Sequence, residues 1–414
     1  MLLEFGFGAG VQQVEVPEKN LLGVLHANEI KTERRNEEEV LYALSHPIGT
    51  PRLREIVKPG EKIALITSDI TRPCPSYRML PALLDELYAA GCHPKDITLI
   101  FALGSHRRHT PEEMKKLAGE RAYGEIRCVD SDPGDCVRLG VTKRGTPVDI
   151  TRIAAEADRR ICLGNIEYHY FAGYSGGAKA IMPGVSTRSA IQANHRMMTE
   201  EMACAGNLEE NPLRQDLEEA ALLCGVDFIL NVVLDEKKQI VRAVAGDLLQ
   251  AHREGCRFLD QMYLKPIAQK ADIVLVSQGG APKDLNLYQT QKALDNARHA
   301  VKEGGAIILI GSCKEGLGEK TFEEWMLHAP TPESLIRRIE ADFQLGGHKA
   351  AAIAMVLQHA EIYLVSEMNE ALVRKIFLKP APSAQCALDL AMQRLGKNAT
   401  VLAMPYGGST LPRL

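Results

Sequence analysis

Short apolar runs alternate with longer amphipathic segments along almost the whole of this chain, and polar or glycine clusters follow the clearest runs at once. This alternation constrains the fold more than any other feature. An apolar run of six or seven residues suits a strand buried on both faces, and the amphipathic segment after it suits a helix covering the sheet. Lys62 to Ser68 (KIALITS), Asp96 to Leu103 (DITLIFAL) and Arg160 to Ile166 (RICLGNI) read as strands of a largely parallel sheet. Between them, Tyr77 to Ala90 reads as a helix ended by Gly91. Thr110-Pro111-Glu112-Glu113 opens the next helix with an N-cap, an N1 proline and a capping-box glutamate.

Further on, Ser186 to Met198 and Glu209 to Leu223 read as helices, and Asp227 to Ala245 as a β-hairpin. A second alternation begins at Ala271. Its expected strands are IVLVSQ, AIILIG, EIYLVS and a final ATVLAMP, and its expected helices are NLYQTQKALDNARHAVKEG, two segments after AIILIG, and SAQCALDLAMQRLG. The fold class is therefore α/β, with two α/β domains and an active-site cleft expected between them. The expected division is an amino-terminal catalytic domain over residues 1–264 and a smaller domain over 265–399, with Pro266 in the linker; the pattern leaves the domain of the tail 400–414 open.

Composition narrows the function classes. The formal net charge is -4 at pH 7, and no block of like charges marks a nucleic-acid-binding arm. The ten cysteines contain no Cys-x-x-Cys pair, which argues against a structural zinc site. Neither a secretory leader nor eighteen consecutive apolar residues is found, so a cytoplasmic protein with reduced thiols and no membrane contact is expected. The amino-terminal GFGAG follows no strand and lacks the spacing of a dinucleotide fingerprint.

In open α/β sheets, ligands bind beyond the carboxyl ends of the strands. The polar clusters there are Asp69 to Arg72, His106 with Arg107, His169 to His195, and Gln278 to Lys292. Histidine exchanges protons near neutral pH, and inversion at a carbon needs an acid–base group on each face, which makes His106 and His169 a natural pair. Gly176, Gly177 and Gly184 flank Lys179 and let backbone approach an anion such as a phosphate. A tight turn with a solvated lysine would account for the same residues. A single histidine such as His195 makes no metal site by itself, and a helix-surface role explains it better unless a cofactor brings further donors. Arg72, Arg107 and Lys292 could hold a substrate carboxylate, Asp69 could orient one of them, and Gln289 shares a helix face with Lys292.

Together, SDITRPCPS, GSHRRHT, EYHYFAGYSGGAKAIMPGVS, ANHRM and GGAPKDLNLYQTQKALDNA resemble, in order, the segments of the nickel-dependent lactate racemase family. The resemblance implies a nickel pincer nucleotide, a pyridinium mononucleotide bound covalently to Lys179 and cradled by Ser175, Gly176 and Gly177. It also implies that His195 is the protein's ligand to nickel and that the tail 400–414 returns to the first domain. By the same resemblance His106 and His169 are the catalytic acid–base residues, while Asp69, Arg72, Gln289 and Lys292 hold a 2-hydroxy acid substrate. The implied reaction inverts C2 through reversible hydride transfer, with lactate as the default substrate. Cofactor biosynthesis proteins are implied partners, and the sequence leaves a homo-oligomer open. The competing readings are a nicotinamide-dependent 2-hydroxy acid dehydrogenase, which lacks its fingerprint, and a non-catalytic carrier of the nucleotide, which would not need both histidines.

Overall fold

A computed structural model describes residues 1–414. The chain divides into two compact units, one formed by Ile30 to Gln261 and the other by Met1 to Glu29 together with Met262 to Leu414.

The Ile30 to Gln261 unit is built on a six-stranded sheet. Its spatial order is Ile240–Gly246, Phe228–Leu234, Arg159–Asn165, Ile63–Ser68, Ile97–Ala102, Arg127–Asp130. Only Ile240–Gly246 runs antiparallel to its neighbour. The apolar run from Ile63 to Thr67 is buried at every position, as a central parallel strand requires. Leu65, Leu99, Phe101 and Ile161 share a core with Met79, Leu80, Leu83, Leu84 and Leu87 of the helix Ser76–Ala89. Full burial of one such leucine contributes about 1.5–3 kcal/mol, and truncating Leu83 to alanine would cost about 2–5 kcal/mol. From Ile63–Ser68 the chain first adds strands on one side, then crosses over to place Arg159–Asn165 on the other. The strand order thus reverses beside Ile63–Ser68, the position at which open α/β sheets bind ligands beyond their strand ends.

The second unit has an all-parallel sheet in the order Lys379–Ala381, Ala360–Val365, Val301–Ile310, Ala271–Ser277, Val401–Met404, Leu21–Val24. Here the structure departs from the division expected at residue 264. The first 29 residues belong with the carboxyl-terminal part of the chain, because Leu21–Val24 extends its sheet beside Val401–Met404. The hairpin Leu2–Phe7 and Gly10–Glu15 also buries Leu3, Phe5 and Val14 in its core. The tail 400–414 lies in this same unit and not with Ile30 to Gln261, and its Leu411–Arg413 pairs with Leu264–Pro266. GFGAG, expected to follow no strand, instead spans the end of the strand Leu2–Phe7, the Gly8-Ala9 turn and the start of Gly10–Glu15.

Two further boundaries differ. The helix expected over NLYQTQKALDNARHAVKEG stops at Ala297, and Val301 already pairs with Ala271, so VKEGG opens the strand Val301–Ile310. The helix expected over Ser186 to Met198 runs only from Arg188 to His195, where Thr187 caps it by accepting the Ala190 N–H. A short 3₁₀ turn follows.

Candidate active site

Asp69 follows the strand Ile63–Ser68 and begins a turn closed by the Arg72 N–H donating to the Asp69 carbonyl at 3.1 Å. Its buried carboxylate accepts from the Thr71 hydroxyl at 3.0 Å and lies 2.8 Å from His106 Nδ1. Burial alone would raise the Asp69 pKa. The bonds from His106 and Thr71 and the Arg72 charge outweigh it, and the carboxyl falls below the usual range. An ionised carboxylate only accepts, so His106 donates from Nδ1, and in the neutral ring the lone pair lies on Nε2. This is the arrangement of an oriented general base.

His169 sits on a small hairpin, Tyr168–His169 against Gly173–Tyr174, after the strand Arg159–Asn165. Its Nδ1 accepts the Ala172 N–H at 3.3 Å, and its Nε2 lies 3.2 Å from Lys179 Nζ. With Nδ1 engaged as an acceptor, the neutral imidazole holds its proton on Nε2 and donates it to an amine lone pair. Lys179 is half-buried, and its pKa lies well below that of an ordinary lysine. Burial is the main cause, reinforced by the positive charges of Arg72 and Arg214, with Glu167 opposing. The hydrogen bond from Ala172 to His169 and the lowered Lys179 pKa both favour the uncharged form of the amine.

Buried side chains shape the loop before Lys179. The Ser175 hydroxyl donates to the Asn165 carbonyl at 2.7 Å and accepts the Glu167 N–H at 2.9 Å, so it pins the loop. The Gly177 N–H donates to Asn231 Oδ1 at 2.7 Å. His252 donates from Nε2 to the Ser175 carbonyl at 2.8 Å. Burial, then the adjacent Arg214, push the His252 pKa well down, and the ring stays neutral. Arg214 and Arg253 both bind Glu218, whose pKa they hold at about 2 against the opposing effect of burial. Gly176 and Gly177 have φ of 73° and 57°. A Cβ on Gly177 would stand 2.8 Å from the His252 ring, so glycine is required for both backbone and space.

His195 ends the helix Arg188–His195 and is buried. Asn194 Nδ2 donates to Asp216 at 2.7 Å, which turns Asn194 Oδ1 toward His195 Nδ1 at 3.0 Å. Asp216 also accepts from Thr146 at 2.6 Å and from Thr142. An amide oxygen can only accept, so Nδ1 is the protonated nitrogen and Nε2 carries the lone pair. Phe171 links the residues, with its ring centroid 4.5 Å from that of His169, 5.1 Å from that of His195 and 5.6 Å from Lys179 Nζ.

The structure thus joins Asp69 with His106, and His169 with Lys179 and, through Phe171, His195. Arg72 acts on both Asp69 and Lys179 by its charge. Arg107 departs from the sequence expectation, because its guanidinium forms a fork to Glu113 and is exposed. Gln289 and Lys292 are exposed on the helix Leu287–Ala297 of the second unit. Sequence reasoning missed Asn194, Asp216, Asn231 and His252. Arg214 and Glu218 were findable as an i,i+4 pair on one helix face.

The lactate racemase N-terminal domain family matches residues 7–206, and the lactate racemase C-terminal domain family matches residues 267–411. The chain belongs to the lactate racemase family. It is similar to the lactate racemase of Thermoanaerobacterium thermosaccharolyticum, at 34% identity over 99% of both chains. It is also similar to that of Lactiplantibacillus plantarum, at 33% identity over 90% of this chain and 89% of the other. Among solved structures, the Thermoanaerobacterium lactate racemase apoprotein superimposes with a TM-score of 0.89 at 32% identity, covering 100% of each chain. A Thermotoga maritima protein with a TM-score of 0.62 and 18% identity, over 91% of this chain and 98% of the other, shares the fold. The family's two domain matches account for the α/β, two-domain architecture. No helix is long and apolar enough to cross a membrane.

Proposed function

We propose that this lactate racemase family member interconverts the enantiomers of a 2-hydroxy acid, with lactate as the first substrate, through a nickel pincer nucleotide attached to Lys179. The observation that carries the reading is Lys179 Nζ lying 3.2 Å from His169 Nε2 beside a glycine loop, where burial and the Arg72 charge lower the pKa of the amine. A neutral amine can form an amide-type bond, whereas an ammonium cannot. The chain brings no three His, Cys, Asp or Glu side chains together as a metal site. His195, with its tautomer fixed, suits a metal whose remaining donors come with the nucleotide.

When bound, the nucleotide supplies a hydride acceptor at the substrate's α-carbon. The chain's own residues do the rest. His106 Nε2 and His169 serve as the proton-exchanging groups for the substrate hydroxyl, with Asp69 holding His106. Arg72, Gln289 and Lys292 bind the substrate, and Ser175, Gly176 and Gly177 form the nucleotide loop. The reading places the protein in the cytoplasm, where its ten free cysteines stay reduced, and makes cofactor biosynthesis proteins its partners.

Protein from cells that make the cofactor should convert L-lactate to the racemate without added nicotinamide, as read by chiral chromatography. It should also carry a mass adduct absent from Lys179→Ala. Enantiomer conversion that requires NAD, or no conversion of lactate and larger 2-hydroxy acids by adduct-bearing protein, overturns the proposal.

A further inference from the structure

The loop that carries His106 also carries His109, whose ring is buried although its backbone is not. His109 Nδ1 lies 2.6 Å from Asp130 Oδ1, at the end of the edge strand Arg127–Asp130, and the His109 N–H donates to the other oxygen of that carboxylate at 2.9 Å. Its Nε2 meets the Ile70 N–H at 3.0 Å. A backbone N–H can only donate, so Nε2 accepts and the ring proton sits on Nδ1, donating to Asp130. Ile70 is the second residue of the turn that begins at Asp69. The loop therefore grips this turn at two points, through His106 on the Asp69 carboxylate and through His109 on the next peptide group. Phe101 stacks edge-on against His109 at 5.4 Å and fixes the ring plane.

We propose that His109 is a positioning residue for the reaction, holding the Asp69–Arg72 turn through the Ile70 N–H so that Asp69 keeps His106 in its Nδ1-protonated form. The inference deepens the reading of His106 as an acid–base group and rests on it for its catalytic consequence, though not for its geometry. His109 touches no reacting atom. Its effect passes from Asp130 to the imidazole, to the Ile70 peptide, to the Asp69 carboxylate, and so to His106. If the Ile70 N–H loses its acceptor, the turn can rotate and His106 can populate the other tautomer, whose Nε2 carries a proton and cannot act as a base.

The chemistry of the two ring nitrogens supplies a discriminating test. Glutamine places its amide oxygen near the position of Nε2 and can still accept from Ile70. Asparagine places its amide near Nδ1 and can still donate to Asp130 but cannot reach Ile70. The full-length chain and its His109→Gln and His109→Asn variants are compared by histidine ¹⁵N chemical shifts, which report the His106 tautomer without requiring turnover. The cofactor-loaded proteins are compared by kcat and KM for lactate racemisation. His109→Gln should keep the Nδ1–H tautomer of His106 and stay within about threefold of the parent kcat. His109→Asn should show mixed tautomers and lose about tenfold in kcat with little change in KM, less than the roughly hundredfold or greater loss for removing the acid–base group. Equal behaviour of the two folded variants overturns the proposal. If His109→Asn fails to fold, His109→Gln decides alone, and a mixed His106 tautomer in it overturns the proposal. A tautomer difference in a protein whose parent form does not racemise would leave the positioning role standing and remove the racemase reading.

Discussion

His169 stands between a donor and an acceptor, with the Ala172 N–H on its Nδ1 and Lys179 Nζ 3.2 Å from its Nε2. The ring can satisfy both only by donating to a lysine that has given up its proton. The proposed covalent attachment at Lys179 and the proposed acid–base role of His169 would thus share one contact.

That arrangement predicts a pH signature in the protein without cofactor. The folded-state pKa of Lys179 is depressed, so the unfolded chain binds one more proton below its ordinary pKa, and native stability rises with pH across that interval. Lys179→Met removes this cost. The variant should melt a few degrees higher than the parent near pH 7, and the gap should close toward pH 10. A difference in Tm that does not vary with pH contradicts a neutral Lys179.

Asp69 gives the opposite sign. Its depressed folded pKa contributes stability above the unfolded value, and that contribution is lost as pH falls through the folded pKa. Asp69→Asn should therefore cost about 1.5–3 kcal/mol in urea unfolding at pH 7, as for a hydrogen bond to a charged group. The cost should shrink as pH falls through the folded pKa, which lies below the ordinary carboxylate value. A cost that does not fall at any acidic pH where the protein stays folded would mean that the carboxylate charge plays no part.

His106→Ala and His169→Ala should each slow racemisation by about 10²–10⁴-fold while keeping the mass adduct. Loss of the adduct in both variants would reassign them to cofactor retention.

The fold was legible where a residue's neighbours in sequence decide its state. KIALITS, DITLIFAL and RICLGNI became central strands because each run is mostly apolar, and Thr110 to Glu113 formed the expected capping box. Leu21–Val24 was not legible, since four residues of local pattern cannot say which distant sheet edge they will join. The site followed the same rule. His106, His169 and Lys179 could be singled out because they follow expected strands in sequence, and the structure places His169 beside Lys179 and His106 beside Asp69. Asn231, His252 and Asp216 come from elements far along the chain, and their roles exist only once Gly177, Ser175 and Asn194 are beside them.

The Asn194 bridge makes its own forecast. Asn194→Ala should release the His195 tautomer and lower nickel content in cofactor-loaded protein, with a loss of affinity of about 10–100-fold. Metal analysis showing full nickel occupancy under dilution would place the control of His195 elsewhere.

The most direct test of the account uses lactate deuterated at C2, incubated in ordinary water with protein loaded with the cofactor. Because the α-hydrogen is proposed to leave and return as a hydride without exchanging with solvent, the inverted lactate should retain its deuterium. Inverted lactate in which the C2 deuterium has been replaced by solvent hydrogen would contradict the account and point to proton abstraction instead.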